Sequence, residues 1–327
     1  MNNLERFLNV MNFEAVDRLP MWELAVWWDK TIKRWKQEGL PEHLEDEGDI
    51  RDYFGLDRHR RYRIRPQKPS YPKVEYGKGL VSDRDSYGRI KEHLFPEEPF
   101  DSERIKNWSL QQIEGNLVVW MMLDGFFWHP RALLGDEKHF YTFYDNPSLI
   151  HEMNTNLLEY NLKILDQFCE ICIPGFIIIA EDMSDKNGPM ISKVHFDEFI
   201  LPYYEKLIPK IKEKRILAFV DTDGNIHGLV SWFTNVGVDG FAPLEIQARN
   251  DIFELRRNYP QLRIIGGYDK RVMSKGEKEM RAEFERILPA MKKGGYISST
   301  DHQVPPDVSL GNYKIYLKLL KEYCSCA

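Results

Sequence analysis

The sequence predicts an α/β fold, a (β/α)8 TIM barrel with an irregular, β-hairpin-containing insertion in its N-terminal half. Three observations lead there. Short apolar segments recur, each followed by a polar turn and an amphipathic helix. Eight such segments fall near residues 20, 62, 119, 178, 218, 242, 264 and 297. Carboxylates end most of them, and strand ends are where a barrel builds its active centre. A doubly wound sheet is the alternative, but no Gly-x-Gly-x-x-Gly turn follows an early strand. No repeat, low-complexity tract or linker divides the chain, so residues 1–327 read as one domain.

The elements follow in order. Leu4–Met11 has a helical apolar face, and Leu19–Leu24 reads as the first strand, ending near Glu23. From Phe54 to Trp108, prolines, tyrosines and glycines are spaced as in β-hairpins rather than helices. Arg61–Arg65 within it is a candidate barrel strand, and Leu117–Leu123 (LVVWMML) is the next. A helical region runs from about His129 to Phe168, broken near Asp145–Pro147. Gly175–Asp182 (GFIIIAED) is a buried strand ending in carboxylates. The helix marked by Phe196, Phe199, Tyr203, Leu207 and Ile211 either restarts or kinks at Pro202. Ile216–Val220 then ends at Asp221, Gly240–Leu244 at Glu245, and Leu262–Gly266 near Tyr268 and Asp269. Asn250 or Asp251 caps the helix to Asn258, and Gly294-Gly295 closes the helix carrying Met280 to Met291. Tyr296–Ser299 and a helix from about Leu310 to Tyr323 complete the chain.

Composition excludes several classes. Hydrophobic residues make up 43% and charged residues 29%, too rich in core formers for a disordered chain. The net charge of -6 gives no general reason to bind nucleic acid or an anionic membrane. No apolar run reaches the length of a membrane helix, and the N-terminus lacks the pattern of a signal peptide, so a cytoplasmic protein is expected. Cys169, Cys172, Cys324 and Cys326 do not form a disulfide scaffold in so long a chain. The first two read as core thiols at a helix end, the last two as incidental at a fraying terminus.

The predicted strand ends bring Glu23, Asp124, Glu181, Asp182, Asp221, Asp223, Glu245, Tyr268, Asp269, Asp301 and His302 towards one mouth. Crowded carboxylates raise one another's pKa unless a cation intervenes. Such a site binds a cation or metal, or keeps a carboxylic acid ready to donate its proton; any one of them could instead cap a helix or bond a loop. Asp221 and Asp223, two apart, point the same way in a strand, and Gly224-Asn225 makes a tight turn after them. With His302 they offer two oxygens and a nitrogen, acceptable for zinc or another divalent metal with one open position. The alternative is a hydrogen-bond network around a substrate. His302, on a loop stiffened by Pro305-Pro306, could also shuttle a proton; His129 before Pro130 is a weaker version. Arg61, Arg63 and Arg65 share a strand face and either grip an anion or protect a solvated edge. Trp22, Trp27, Trp28 and Trp35, with Phe126, Phe127 and Trp128, either stack on a flat apolar ligand or pack the core.

Three segments, Asn12–Glu23 (NFEAVDRLPMWE), Glu181–Lys193 (EDMSDKNGPMISK) and Gly294–Tyr313 (GGYISSTDHQVPPDVSLGNY), resemble the uroporphyrinogen decarboxylase superfamily. The resemblance spans essentially the whole chain and implies a (β/α)8 barrel, with a homodimer favoured. It also implies one of two chemistries: decarboxylation without a cofactor, or methyl transfer to or from a corrinoid protein, often with zinc. The decarboxylases carry paired arginines after the first strand, an aspartate at the next strand end and a pocket tyrosine. Here those places hold Glu23 with no arginine pair, an arginine-rich stretch, and DGFFWHP without tyrosine; only His302 matches. The thiol methyltransferases bind zinc through His-x-Cys and a later cysteine, and Asp221, Asp223 and His302 occupy those positions. An oxygen-rich set suits an alkoxide, phenolate or water better than a thiolate.

The expectation is therefore a barrel enzyme moving a methyl group between a small methoxy or methylamine-type substrate and a corrinoid protein. Asp221, Asp223 and His302 would hold a metal or polarise the leaving heteroatom, and Glu181 or Glu245 would give acid–base help. Trp22, Trp27, Trp128, His129, Tyr268 and Glu23 would enclose the substrate. The alternatives are a cofactor-independent decarboxylase on a smaller cyclic acid, with His302 as proton donor, and a non-catalytic binding protein of the corrinoid system.

Overall fold

The computed structural model describes residues 1–327. Seven strands form one parallel sheet: β1 (His59–Arg63), β2 (Val118–Asp124), β3 (Phe176–Ala180), β6 (Leu217–Asp221), β7 (Gly240–Leu244), β8 (Arg263–Tyr268) and β9 (Tyr296–Thr300). They neighbour one another in chain order, each joined to the next by helical crossovers. A short antiparallel pair, β4 (Ser184–Asp185) with β5 (Gly188–Pro189), projects from the loop after β3.

The helices are α1 (Asn3–Met11), α2 (Asp29–Gln37), α3 (Glu47–Tyr53), α4 (Arg84–Lys91), α5 (Ser102–Ile113), α6 (Trp128–Leu134), α7 (Asp136–Asp145) and α8 (Pro147–Ile171). They continue as α9 (Lys193–Phe199), α10 (Leu201–Glu213), α11 (Val230–Thr234), α12 (Ile252–Asn258), α13 (Glu277–Met291) and α14 (Leu310–Cys326). No helix is long and apolar enough to cross a membrane. The chain restarts as α10 just before Pro202, and Asp251 caps α12 by accepting from the Phe253 N–H. The helical region expected from about His129 to Phe168 has two breaks, at Gly135 and Asn146, rather than one.

The expected first strand is not a strand. Leu19–Leu24 is extended and buried, but it meets its neighbours mainly through side chains. On one side the Met21 N–H donates to Asp57 Oδ2 and the Asp57 N–H to the Met21 carbonyl; on the other the Leu24 N–H donates to Ser299 Oγ. Side-chain oxygens have taken over acceptor places that a ladder would give to carbonyls, so the sheet has seven strands with this segment between its edges.

The expected hairpins between Phe54 and Trp108 do not form: beyond β1 the segment is mostly loop, interrupted by α4 and the start of α5. Asp83 forms a capping box with Ser86 to start α4, and Asp101 caps α5. These caps outweigh the turn-rich composition around them. At the C-terminus α14 runs to Cys326, with Cys324 fully buried and Cys326 exposed.

Ring packing separates the two faces of the sheet. Tyr62 packs against Phe100, Trp108 and Phe168, in the helical layer. Alternation therefore sends Arg61 and Arg63 to the inner, concave face. There Phe176 stacks on Trp120 with centroids 5.1 Å apart and meets Trp22, Phe7 and Phe219, closing the end where the strands begin. The polar side chains lie at the opposite end.

Candidate active site

The registers place Asp124 beside Ala180 and Ala180 beside Asp221. Asp124 and Asp221 thus share the last row of the inner face. Arg63 leans over this row: its Nη2 donates to Asp124 Oδ1 at 3.0 Å, Nη1 reaches Met122 Sδ, and its buried Nε has no partner. Burial raises the Asp124 pKa, opposed by Arg63.

Asp221 makes no salt bridge. Burial, then the charges of Asp223 and Asp182, push its pKa up to about 7, with Arg63 and His302 opposing. It therefore exchanges its proton near neutrality. Its carbonyl accepts from the Glu181 and Asp182 N–H groups, so the turn after β3 hangs on the end of β6. Asp182 sits in the left-handed region, φ 44°, held by Arg131 Nη1 on its carbonyl and carboxylate.

Asp223 lies beyond the strand and faces His302, Oδ2 to Nε2 3.6 Å. That contact raises the His302 pKa, opposed by burial. Gly224 follows at φ +87°, and a Cβ there would sit 2.6 Å from the Asp185 backbone, so this turn needs glycine. Glu245 Oε2 accepts from the Gly224 N–H. Asn250, which sequence reasoning treated only as a cap, bonds the Gly224 and Glu245 carbonyls and the Ile226 N–H, and so ties two loops together. An isolated loop asparagine carries no sequence signal for that.

Several expected site residues have other places. Glu181 is wholly buried and accepts from the Phe126, Phe127 and Trp128 N–H groups and the Tyr204 hydroxyl. Burial pushes it up to about 7, opposed by those donors. It anchors the loop after β2, at a spot where a Cβ on Gly125 would collide with it at 2.2 Å. Glu23 is also buried, with Oε1 accepting from Ser299 and Thr300 and Oε2 unpartnered. Trp22 belongs to the closed end of the sheet. Trp27 packs on Trp35, Phe54 and Tyr313, and Tyr268 on Phe284 and Tyr316, outside the sheet. His129 is buried beside Phe95, its pKa lowered to about 3 by burial. Trp128 is partly buried, beneath Arg131, and of the expected aromatics only Trp28 is exposed. Asp301 accepts from the Ile246 and Lys270 N–H groups, a loop anchor beside His302. The thiols of Cys169 and Cys172 are pushed up to about 11 by burial and stay protonated at neutral pH.

The metal expectation meets a geometric obstacle. No three His, Cys, Asp or Glu side chains come together as a set able to hold a metal ion. Asp223 and His302 are in contact, but Asp221, back on the strand, does not complete them. Asp223 and His302 form a contact pair, and Asp221 feels their charges without bonding to either.

Residues 135–323 match the family described as Uroporphyrinogen decarboxylase (URO-D). The chain belongs to this family. Among curated members it is 22% identical over 184 residues to the uroporphyrinogen decarboxylase of Ruthia magnifica subsp. Calyptogena magnifica, covering 55% of the chain and 51% of the relative. To that of Campylobacter lari it is 26% identical over 187 residues, covering 55% and 50%. The match thus spans about half the length of these relatives. A methyltransferase from Methanosarcina mazei has the same fold, with a TM-score of 0.69, 99% of both chains covered and 12% identity. At that identity the likeness speaks for the fold alone.

Proposed function

We propose that this family member is a methyltransferase, moving a methyl group from a small methoxy or methylamine-type substrate to a corrinoid carried by a separate protein. Asp221 carries this reading: an inner-face carboxyl that still holds its proton near neutrality, at a carboxylate-rich mouth. When the carbon–heteroatom bond breaks, the heteroatom keeps the electron pair and takes the Asp221 proton. The corrinoid protein would supply the methyl acceptor. Asp223 and His302, both partly exposed, would return a proton to Asp221 from solvent.

The first-strand arginines expected of a decarboxylase are absent here. Arg34, next along the chain, spends its guanidinium on Glu38 and the Pro306 carbonyl. The side chains do not assemble around a zinc ion. The test is loss of substrate methyl groups, followed by mass spectrometry, with and without added cob(I)alamin. Turnover that needs the corrinoid and fails in Asp221→Asn supports the reading. Demethylation that ignores Asp221, or none with any methoxy or methylamine substrate, counts against it.

A second reading is favoured by Arg63. Its guanidinium, which reaches Asp124 from the row before, would hold a substrate carboxylate; carbon dioxide would leave and the carbanion would take the Asp221 proton. Carbon dioxide release without corrinoid would select this reading.

A further inference from the structure

A cavity of about 850 Å³ opens beside the mouth, between β1, the loop after it and α5. Six cationic side chains line it: Arg61, Arg63, Arg65, Lys68, Lys73 and Arg104. Only Glu98 and Asp124 oppose them, in a chain of net charge -6. So dense a local excess of positive charge repels itself unless an anion shares it.

Their commitments are few. Arg61 meets Glu47 at 3.2 Å and Arg63 meets Asp124, whereas Arg65, Lys73 and Arg104 make no salt bridge. The Arg104 guanidinium lies over Trp108, 4.7 Å from its ring centroid, and bonds no other side chain. The Arg63 Nε is a buried donor without a partner, an independent sign that something else should bond there. Asp124 and Trp128 belong to the same lining, so the cavity leads to the row that ends in Asp221. Its volume falls within the usual range for small-molecule sites, and its concave shape suits a small ligand better than a protein face.

We infer that this cavity seats the anionic end of the substrate, a carboxylate or phosphate group held by arginine forks, while the reacting end lies at Asp221 and His302. The site would thus select a bifunctional molecule: a methyl-bearing or otherwise reactive head, and an oxyanion tail. The inference rests on the proposed function only in taking the mouth as the reaction centre. It holds equally if the chemistry there is decarboxylation.

The experiment needs no turnover, so its outcome is separate from that of the methyl-transfer assay. Citrate and pyrophosphate, with uncharged glycerol as control, are titrated into the full-length protein by calorimetry at low ionic strength. Saturable binding of either oxyanion is expected, weakened about tenfold by each of Arg65→Gln and Arg104→Gln. Both residues are exposed and free of salt bridges, so the variants should keep the parent's circular dichroism and melting temperature. Preference between the two probes assigns carboxylate or phosphate. No saturable binding, or binding that both variants retain at full strength, overturns the proposal. So does capture only of an acidic protein partner, which would make the patch a docking face.

Discussion

Asp124 and Asp221 stand in the same row of the inner face with only Ala180 between them. Strands in a sheet lie about 4.8 Å apart, so the two carboxyl-bearing backbones are roughly 10 Å from each other. The two carboxyls are unlike in setting: Asp124 is paired with Arg63, while Asp221 has no cation within salt-bridge reach. That difference separates an anchored carboxylate from one that exchanges its proton.

The first prediction concerns Asp221. Its pKa is raised to about 7, so the acid form needed for proton donation is lost as pH rises through that value. Activity should fall on the alkaline side of about pH 7, and Asp221→Asn should remove that limb. The loss of kcat should be about 10² to 10⁴ fold, the usual worth of a positioned acid. A pH profile of kcat/KM for parent and variant checks this; an unchanged alkaline limb in the variant would assign it to another group.

Arg63 and Asp124 should behave as a coupled pair. Arg63→Met leaves a buried carboxylate without its cation, and chemical denaturation should show a loss of about 2 kcal/mol, discounted because Arg63 is partly exposed. Asp124→Asn in the same chain should restore most of it. Additive losses in the double variant would mean that the pair contributes nothing as a pair.

Much of this was legible in the sequence, for identifiable reasons. Strand and helix alternate along the chain with clear punctuation, as at Asp251 and Pro202. The Gly224 turn was announced by its glycine, but the expected alternation of Asp221 and Asp223 does not hold, because the strand ends at Asp221. What was hidden is facing. In fully apolar strands every position is buried, so sequence cannot say that Tyr268 looks outward to Phe284. Nor could it show that Glu181 spends its carboxylate on three backbone N–H groups, because those donors belong to a loop that its own burial shapes. The hairpin expectation failed at Asp83 and Asp101, where single caps started helices in turn-rich sequence.

Glu181 yields the third prediction. Glu181→Gln turns one acceptor oxygen into an N–H₂, so either the Phe126 N–H or the Phe127 and Trp128 N–H groups lose their acceptor. A loss of about 2 kcal/mol is expected, and Tyr204→Phe should cost about 1 kcal/mol. Trp128 fluorescence should broaden towards the solvent-exposed limit as the loop loosens. Full stability in Glu181→Gln would show that the loop holds without this hub.

His302 titrates above the ordinary histidine value because Asp223 stabilises its charged form. Asp223→Asn should therefore move its titration downwards, as followed by NMR of the ring protons. At pH 7 the variant would then carry less imidazolium, and proton return to Asp221 would slow. An unmoved titration would mean that the 3.6 Å contact does not form in solution.

Glu23 provides a pH dependence of stability. It is wholly buried, and burial raises its pKa from 4.5 to about 7, with the Thr300 and Ser299 hydroxyls opposing. The folded state therefore holds the proton more tightly than the unfolded chain. Its favourable contribution is complete below about pH 4.5, shrinks as pH rises, and is gone above about pH 7. Glu23→Gln keeps an acceptor for both hydroxyls and never ionises. Relative to the parent it should gain about 2 to 3 kcal/mol at pH 8 and almost nothing at pH 4. Denaturant unfolding at the two pH values measures the difference directly, cancelling the other groups that titrate in both proteins. A gain equal at both would reveal better packing by the amide rather than relief of a buried charge.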